Sequence, residues 1–391
     1  MAEGPIPELP FEPRRDWRFE REGVCPSVEV QMRDGFNFGT NASAFELDFG
    51  LRRNPDKGRR SVVAHRAEII VGVDMGGTSL RAVVVNSENK ILAVEKNPTP
   101  VGKKPDALIE DIAAEVIDAL EAAGLRRSDL RAVSVGAPGA VNPQKGIVYE
   151  APNLGWKDVP LGPKLSDLLG VPVLIENDVN VGTVGEHALG AGRGTSELVG
   201  IFIGTGIGGG IISAGKLYEG ARGAAAEVGH MTLLVDGPRC GCGKRGCAEA
   251  LASRTAMERE VRAAIKQGAK SCVLELMKER NKERMTSSII IRALKKKDRV
   301  MREVLRQTQY YLGILVASVV NMMDPQCVVI GGGVAERLQE ELVGPIRKTA
   351  RKYFLCQRDA AKVKIVAARL GDNAGALGAV VLARQRLRVV R

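Results

Sequence analysis

From residue 68 onward the hydrophobic positions follow two patterns, short β-branched runs and longer stretches with apolar residues at helical spacing. A continuous apolar run bounded by glycine or polar residues predicts a buried strand, whereas apolar positions three and four apart predict an amphipathic helix. The predicted strands, some of which end in a glycine turn, lie at residues 68–75, 81–86, 90–96, 131–139, 171–178, 197–204, 211–218, 327–333 and 362–368. The predicted helices cover residues 105–125, 179–189, 253–268, 300–323 and 373–386, and a further helix is predicted directly after the glycine turn at 331–333. Because strands and helices alternate, the sequence predicts an α/β fold.

Residues 1–66 do not share these patterns. Six of the eight phenylalanines of the chain lie in this segment, which mixes prolines, glycines and charged residues without a sustained period. Two short helices around a tight turn cannot be assigned there, so a helix-turn-helix is not predicted. We expect residues 1–66 to form a poorly ordered N-terminal extension with a basic linker. An interaction arm and upstream sequence misread as coding are the alternatives.

The composition is typical of a water-soluble globular protein. Of the 391 residues 45% are hydrophobic, and the mean hydropathy is −0.05. No apolar run is long enough to span a bilayer, and the N-terminus has no apolar segment behind its charges. The cysteines concentrate in a metal-type cluster, which suits a reducing compartment better than a disulfide framework does. We therefore expect a cytoplasmic protein with no membrane partner.

The net charge of +11 is concentrated in one region. Residues 254–306 contain 16 Lys or Arg against 7 Asp or Glu, whereas the two signs cancel within residues 1–66. A basic patch can bind nucleic acid or another polyanion. No aromatic residues are interleaved for base stacking, so the pattern favours the solvated face of surface helices over specific nucleic-acid binding.

Three glycine turns follow predicted strands, at residues 76–78, 204–210 and 331–333. Glycine lets backbone N–H groups converge on an anion, and threonine adds a hydroxyl donor. The first two turns each place glycine and threonine between two strands, which indicates an internal duplication. The dinucleotide fingerprint that residues 204–209 formally match would require a helix after it, where a strand is predicted. The near match to a Walker loop at residues 210–216 is rejected because Leu217 replaces the required Ser or Thr and no helix follows. A tight strand connection is the alternative for any one turn alone. Together the turns predict a bound nucleotide with Mg²⁺ at Asp74, held by Asp74, Gly76, Gly77, Thr78, Gly204 and Thr205.

Asp178 lies where a predicted strand ends and a predicted helix begins. A carboxylate in this position can cap the helix. It can also face the crevice at the carboxyl edge of a parallel sheet, where ligands bind. Because phosphoryl transfer to an alcohol requires a base beside the hydroxyl, we predict that Asp178 is the catalytic base.

A cysteine and histidine cluster follows the pattern His-x9-Cys-x-Cys-x4-Cys, with the residues His230, Cys240, Cys242 and Cys247. Three thiolates and one imidazole suit a tetrahedral zinc ion, and the intervening glycines let the loop fold back. Since all four ligands would come from the protein, the pattern predicts a closed, structural Zn²⁺ site. A catalytic zinc keeps one position open for water. A turn-rich loop with incidental cysteines is the alternative.

Taken together, several motifs resemble those of the ROK family of sugar kinases and repressors: DMGGT (74–78), END (176–178), IFIGTGIGGGI (201–211), EVGH (227–230) with CGCGKRGC (240–247), and VVIGGG (328–333). The resemblance covers about residues 68–386 and is greatest to the bacterial glucokinases of the family. It implies a two-domain actin-like ATPase fold, related to ribonuclease H and hexokinase, with a ligand cleft between two lobes. Within residues 67–390 the first lobe would cover about 67–180. The second would cover about 181–390, with the zinc loop at 227–247.

The resemblance also implies roles for individual residues. Asp178 would accept the proton of the sugar 6-hydroxyl, and His230 would face the sugar with one ring nitrogen while the other ligates zinc. Gly332 and Gly333 would lie near the adenosine. The residues that would hydrogen-bond the remaining sugar hydroxyls are Asn153, Asn177, Glu227, His230 and Glu249.

The activity implied by the resemblance is ATP-dependent phosphorylation of glucose to glucose 6-phosphate. ATP, Mg²⁺ and a structural Zn²⁺ would be the cofactors, and the enzyme would be a dimer or tetramer. A kinase for another hexose or N-acetylhexosamine (N-acetylmannosamine, N-acetylglucosamine or fructose) is one alternative, because a single pocket contact can set the preference. A sugar-responsive transcriptional regulator is the other, suggested by the family and by the basic stretch.

Overall fold

The computed structural model describes residues 68–76, 79–99 and 102–389. The predicted extension at residues 1–66, with its basic linker, lies outside the described residues, and so do Gly77 and Thr78. Of the helices within the described ranges, none combines the length and the apolar character that crossing a membrane requires.

The described part of the chain contains thirteen strands in three sheets. The strands are β1 (Ile69–Met75), β2 (Ser79–Val85), β3 (Ile91–Pro98), β4 (Leu130–Ala137), β5 (Ala140–Asn142), β6 (Ile147–Ala151), β7 (Trp156–Val159), β8 (Val173–Asn177), β9 (Leu198–Ile203), β10 (Ile207–Ser213), β11 (Lys216–Leu217), β12 (Cys327–Gly331) and β13 (Lys364–Ala367).

Helices connect and cover these strands. They are α1 (Pro105–Ala122), α2 (Leu161–Leu169), α3 (Asp178–Ala188), α4 (Ala248–Ala252), α5 (Arg254–Lys266), α6 (Val273–Glu279), α7 (Ser287–Lys295), α8 (Arg299–Met323), α9 (Gly333–Leu338), α10 (Glu340–Lys352) and α11 (Ala374–Val389). Short 3-10 helices lie at Arg127–Asp129, Val228–His230 and Gly371–Asn373.

The two larger sheets repeat one topology. The first has the strand order β3-β2-β1-β4-β8, and the second has the order β11-β10-β9-β12-β13. In each sheet three successive strands pair antiparallel, and two later strands join in parallel. The glycine-threonine turns therefore occupy equivalent places, between β1 and β2 and between β9 and β10. This agrees with the internal duplication that the sequence indicates.

The central strands of the first sheet are buried on both faces. Val71 and Val73 belong to a core that includes α1 and α2, whereas Ile70 packs with Ala376 and Val380 of α11. Successive side chains of a strand point to opposite faces, so a continuous β-branched run is what a sheet covered on both sides requires.

Two helices, α3 and α11, cross each other and pack against strands of both large sheets. Their crossing depends on glycine. A Cβ atom on Gly378 would overlap the carbonyl oxygen of Val181, and one on Gly185 would overlap that of Ala374. The other side of the second sheet packs against α8 and its neighbours, which form the largest core of the described residues.

The five helices predicted with both bounds occur in the structure with bounds shifted by a few residues at most, and α9 follows the glycine turn at 331–333 as predicted. The three-stranded sheet β5-β6-β7 and the helices α2, α4, α6, α7 and α10 were not predicted. These elements contain between three and thirteen residues. Most of them are too short for a hydrophobic period to stand out in the sequence.

Candidate functional site

A cleft of 1340 Å³ opens at the carboxyl ends of the parallel strands. Its wall includes residues that directly follow β1, β4, β8, β9 and β12. Carboxyl ends of parallel strands meet at one edge of a sheet, and ligands of open α/β folds bind there. The predicted site residues in the cleft wall are Asp74, Gly76, Asn153, Asn177, Asp178, Gly204, Thr205, Glu227, His230, Cys240, Cys242, Glu249 and Gly332.

Asn177 and Asp178 occupy the junction between β8 and α3. The side-chain oxygen of Asn177 accepts hydrogen bonds from the backbone N–H groups of Val179 (2.9 Å) and Asn180 (3.1 Å). Asn177 is therefore the N-cap, and the interpretation of Asp178 as the cap is wrong. Because its neighbour caps the helix, Asp178 begins α3 with its carboxylate in the cleft, where one oxygen accepts the Val179 N–H at 2.9 Å.

A buried ion pair supports this junction from behind. Glu176 is 2% exposed, and its carboxylate accepts hydrogen bonds from the Asn177 backbone N–H (3.0 Å) and from the Asn180 side chain (3.1 Å). Arg386 of α11 neutralises it at 2.6 Å and also contacts Glu219 at 2.7 Å. The first residue of the END motif therefore orients the second.

Two carboxylates in the cleft have strongly raised pKa values. Burial raises the pKa of Asp178 to about 7, and the nearby negative charge of Asp74 adds to the shift. Burial also raises the pKa of Asp74 to about 6, against the opposing charge of Arg81. A general base functions best when its pKa lies near the working pH, so Asp178 is suited to accept a proton at neutral pH.

The other predicted sugar-binding residues share the cleft with Asp178 and come from several elements. Asn153 lies in the turn between β6 and β7, and Glu227 directly precedes the 3-10 helix that ends at His230. Glu249 lies in the first turn of α4, where its carboxylate accepts the backbone N–H of Ile207 at 3.0 Å. The structure thus brings together acceptors and donors suited to a polyol, although their roles toward a sugar stay predictions.

The predicted nucleotide-binding turns face the same cleft. Gly332 has a φ of 95°, and a Cβ atom there would overlap the carbonyl oxygen of Ile203, so the turn after β12 can approach the end of β9 only with glycine. Gly333 begins α9 and is not in the cleft wall. Gly77 and Thr78 lie outside the described residues.

The four predicted zinc ligands converge. Their ligand atoms all lie within 4.8 Å of one another. Cys240 Sγ is 3.8 Å from His230 Nδ1, and Cys242 Sγ is 3.7 Å from Cys247 Sγ. In a tetrahedron with zinc–sulfur bonds of about 2.3 Å, neighbouring sulfur atoms are about 3.8 Å apart. The donor set and its spacing fit a tetrahedral zinc ion.

The backbone of the loop explains this convergence. Cys240 N donates to Lys244 O at 2.8 Å, and a bridge joins Arg239 to Arg245, so the segment folds back on itself. Gly246 has a φ of 71°, and a Cβ atom there would overlap Leu234 O. His230 and Cys240 are also in the cleft wall, so the cluster lies directly against the cleft.

Several charged residues of the cleft wall were not predicted. Arg81 donates to Asp372 at 2.7 Å and to Asn373 at 3.0 Å, and Lys96 lies 3.3 Å from the same Asp372 oxygen. Arg81 could have been found from the sequence, because β1 and β2 form a short hairpin in which Arg81 lies opposite Asp74. The contacts with the loop before α11 had no such local signal.

Comparisons with known proteins agree on one family, whose members include both kinases and repressors. The sequence model of the ROK family matches residues 70–386. A glucokinase from Streptomyces coelicolor is 35% identical over 318 residues, which are 81% of this chain and 98% of that protein. A putative xylose repressor from a Caldicellulosiruptor species is 31% identical over 331 residues, which are 83% of this chain and 81% of that protein.

A solved structure shows the same fold. The ROK family glucokinase from Streptomyces griseus, in complex with glucose and AMPPNP, superposes with a TM-score of 0.71 at 35% identity. The match covers 81% of this chain and 99% of that one. The predicted fold class, a two-domain actin-like and hexokinase-like α/β fold, is confirmed.

Proposed function

The chain belongs to the ROK family and is a sugar kinase, and we propose that it phosphorylates glucose to glucose 6-phosphate with ATP as the donor. The observation that carries the proposal is the shared cleft. One part of its wall contains Asp178 with polar groups suited to a sugar, and another contains the glycine turns suited to phosphates. The similarity to glucokinases supports glucose as the acceptor.

In the proposed mechanism Asp178 is the catalytic base. Its carboxylate accepts the proton of the sugar 6-hydroxyl while the oxygen attacks the γ-phosphorus of ATP. The new bond joins this oxygen to the γ-phosphorus, the bond from the γ-phosphorus to the bridging oxygen breaks, and ADP leaves with the electron pair. Asn177, held by Glu176 and by its capping bonds, and Glu227 would fix the sugar so that its hydroxyl meets Asp178.

The phosphates would lie against the turn that contains Gly204 and Thr205 and the turn after Asp74. Asp74 offers carboxylate oxygens, the ligand type that Mg²⁺ prefers, and its raised pKa indicates a buried carboxylate that a cation would stabilise. Mg²⁺ would neutralise charge on the phosphates. Asp74 itself would orient the metal-bound nucleotide toward the sugar.

We propose that His230, Cys240, Cys242 and Cys247 hold a structural Zn²⁺, on the support of their donor types and spacing. The zinc would stabilise the loop and supply no reactive group. With Nδ1 of His230 committed to the cluster, Nε2 is the ring nitrogen that remains for a sugar hydroxyl. The cluster would thus set the orientation of a sugar-binding side chain.

The direct test measures ADP release from the purified chain with glucose, ATP and Mg²⁺. We expect turnover with glucose, and we expect Asp178→Asn to lose most of it while still binding the sugar. Undiminished turnover in that variant would contradict the assignment of the base. A kinetic screen of glucose, fructose, N-acetylglucosamine and N-acetylmannosamine tests the acceptor, and a higher kcat/KM for another sugar would replace glucose in the proposal.

A sugar-responsive regulator is the second candidate, favoured by the similarity to the xylose repressor. It predicts sequence-specific DNA binding that weakens with salt and changes with sugar. DNA affinity that is the same for all sequences would exclude it.

A further inference from the structure

The first turn of α5 contacts the Gly204–Thr205 turn directly. Arg254 N donates to Gly204 O at 3.1 Å, and Thr255 donates to Thr205 O both from its backbone N–H (3.4 Å) and from its hydroxyl (2.8 Å). Nη2 of Arg254 donates to the hydroxyl oxygen of Thr205 at 3.2 Å. Helix N–H groups that have no partner within their own helix are here used to hold a turn in the cleft wall.

These contacts determine which atoms of Thr205 remain for a ligand. Its carbonyl oxygen, which would repel a phosphate, is engaged by Thr255. Its hydroxyl oxygen accepts the Arg254 guanidinium, so the hydroxyl hydrogen is left to donate into the cleft that Thr205 lines. The arrangement directs a donor, and no acceptor, toward a bound anion.

Positive charge accumulates behind this turn. Among the described residues, no carboxylate lies within 4.0 Å of the Arg254 guanidinium. Arg284 donates to Thr255 Oγ1 at 3.4 Å, and Glu258, which pairs with Arg284 at 3.0 Å, is shared with Arg262. Arg254 has no such carboxylate and Arg284 shares its own with Arg262, so positive charge exceeds negative charge among these groups, which favours an anion in front of the turn.

We propose that Arg254 and Thr255 are positioning residues that aim the Thr205 hydroxyl at the phosphates of the nucleotide. The inference rests on the proposed kinase function, and it gives a role to the start of the basic stretch that the sequence assigned to a solvated helix face. Arg254 acts through Thr205, so its effect should concern the nucleotide and leave the sugar unaffected.

The test compares Thr255→Val with Thr255→Ser and Arg254→Met with Arg254→Lys in the full chain. Calorimetry with AMPPNP gives nucleotide affinity without turnover, and steady-state kinetics give KM for ATP and for glucose separately. We expect Thr255→Val and Arg254→Met to raise Kd and KM for the nucleotide about tenfold, as loss of a charged or buried hydrogen bond would. Thr255→Ser should keep wild-type values, Arg254→Lys should recover part of the loss, and KM for glucose should not change.

Thr195→Val is the matched control, because the Thr195 hydroxyl also donates to a carbonyl (Gly192 O, 2.7 Å) but lies outside the cleft wall. Unchanged AMPPNP affinity in folded Thr255→Val and Arg254→Met, or an equal loss in Thr195→Val, would overturn the inference. If Thr255→Val does not fold, the two Arg254 variants decide. A wild-type chain that binds AMPPNP but phosphorylates no sugar would contradict the proposed function. The AMPPNP affinities of the Arg254 and Thr255 variants would still decide this inference. No AMPPNP binding by the wild type would overturn both.

Discussion

Replacement of Asp178 by asparagine should stabilise the protein at alkaline pH while it removes the proposed base. Asparagine has the shape of aspartate and keeps the side-chain oxygen that accepts the Val179 N–H at 2.9 Å. The substitution therefore removes a charge and a titrating proton, and little else. Its effect on the free energy of unfolding should depend on pH in a way that the cleft geometry specifies.

The magnitude follows from the pKa. The pKa of Asp178 is 3.8 without the fold and about 7 within it, so the unfolded chain ionises first and the folded chain resists ionisation. Below pH 3.8 the group has no effect on stability. Between pH 3.8 and pH 7, Asp178 lowers the free energy of unfolding by about 1.4 kcal/mol for each pH unit. Above pH 7 this loss of stability levels off at about 4 kcal/mol. Between pH 5 and pH 8 the cost grows by about 3 kcal/mol, an upper bound because cleft water screens the charge.

Urea unfolding of the wild type and of Asp178→Asn at pH 5 and pH 8 measures this difference. The stability advantage of the variant should widen from pH 5 to pH 8 by about 1–3 kcal/mol. Asp167→Asn on the exposed surface of α2 is the control, and its difference from the wild type should be the same at both pH values. An advantage that stays constant or shrinks toward pH 8 would show that Asp178 is not a desolvated carboxylate, and the argument for a base poised near neutral pH would fail.

Further predictions concern activity, metal and packing. The kcat/KM for glucose should fall about tenfold per pH unit below pH 7, because a protonated Asp178 cannot accept a proton; a flat profile from pH 7 to 5 would contradict this. Cys242→Ala, or chelation, should raise KM for glucose several-fold and lower the free energy of unfolding by at least about 2 kcal/mol. Cys356 is an exposed cysteine outside the cluster, so Cys356→Ala should change neither quantity. Gly378→Ala should cost about 2–3 kcal/mol in urea unfolding because its methyl group would overlap a carbonyl of α3. Gly344→Ala in α10 is the control, because the nearest atom to its added methyl group is the carboxylate end of the Glu340 side chain at 3.2 Å, and equal costs would refute the argument.

The recurring hydrophobic periods were enough to predict the α/β class and five of the six described helices that contain eleven or more residues, α10 being the exception. They were not enough for the sheet β5-β6-β7, whose strands contain three to five residues, or for the short helices around α8. A strand of this length needs its neighbours to define it, because its own alternation spans too few positions. The N-cap of α3 could not be assigned either, since Asn177 and Asp178 are adjacent and both residue types cap helices well.

What the sequence determined by itself was local. The zinc-type ligands lie within residues 230–247, and the glycine turns lie within a few residues of their strands, so short-range chain geometry already brings these groups together. What only the tertiary structure decided was which distant groups support them. Arg254 reaches Thr205 across 49 positions, and Arg81 reaches Asp372 across 291. Such contacts depend on how the sheets, α5 and α11 pack, and packing is set by the whole core and not by any residue's neighbours in the chain.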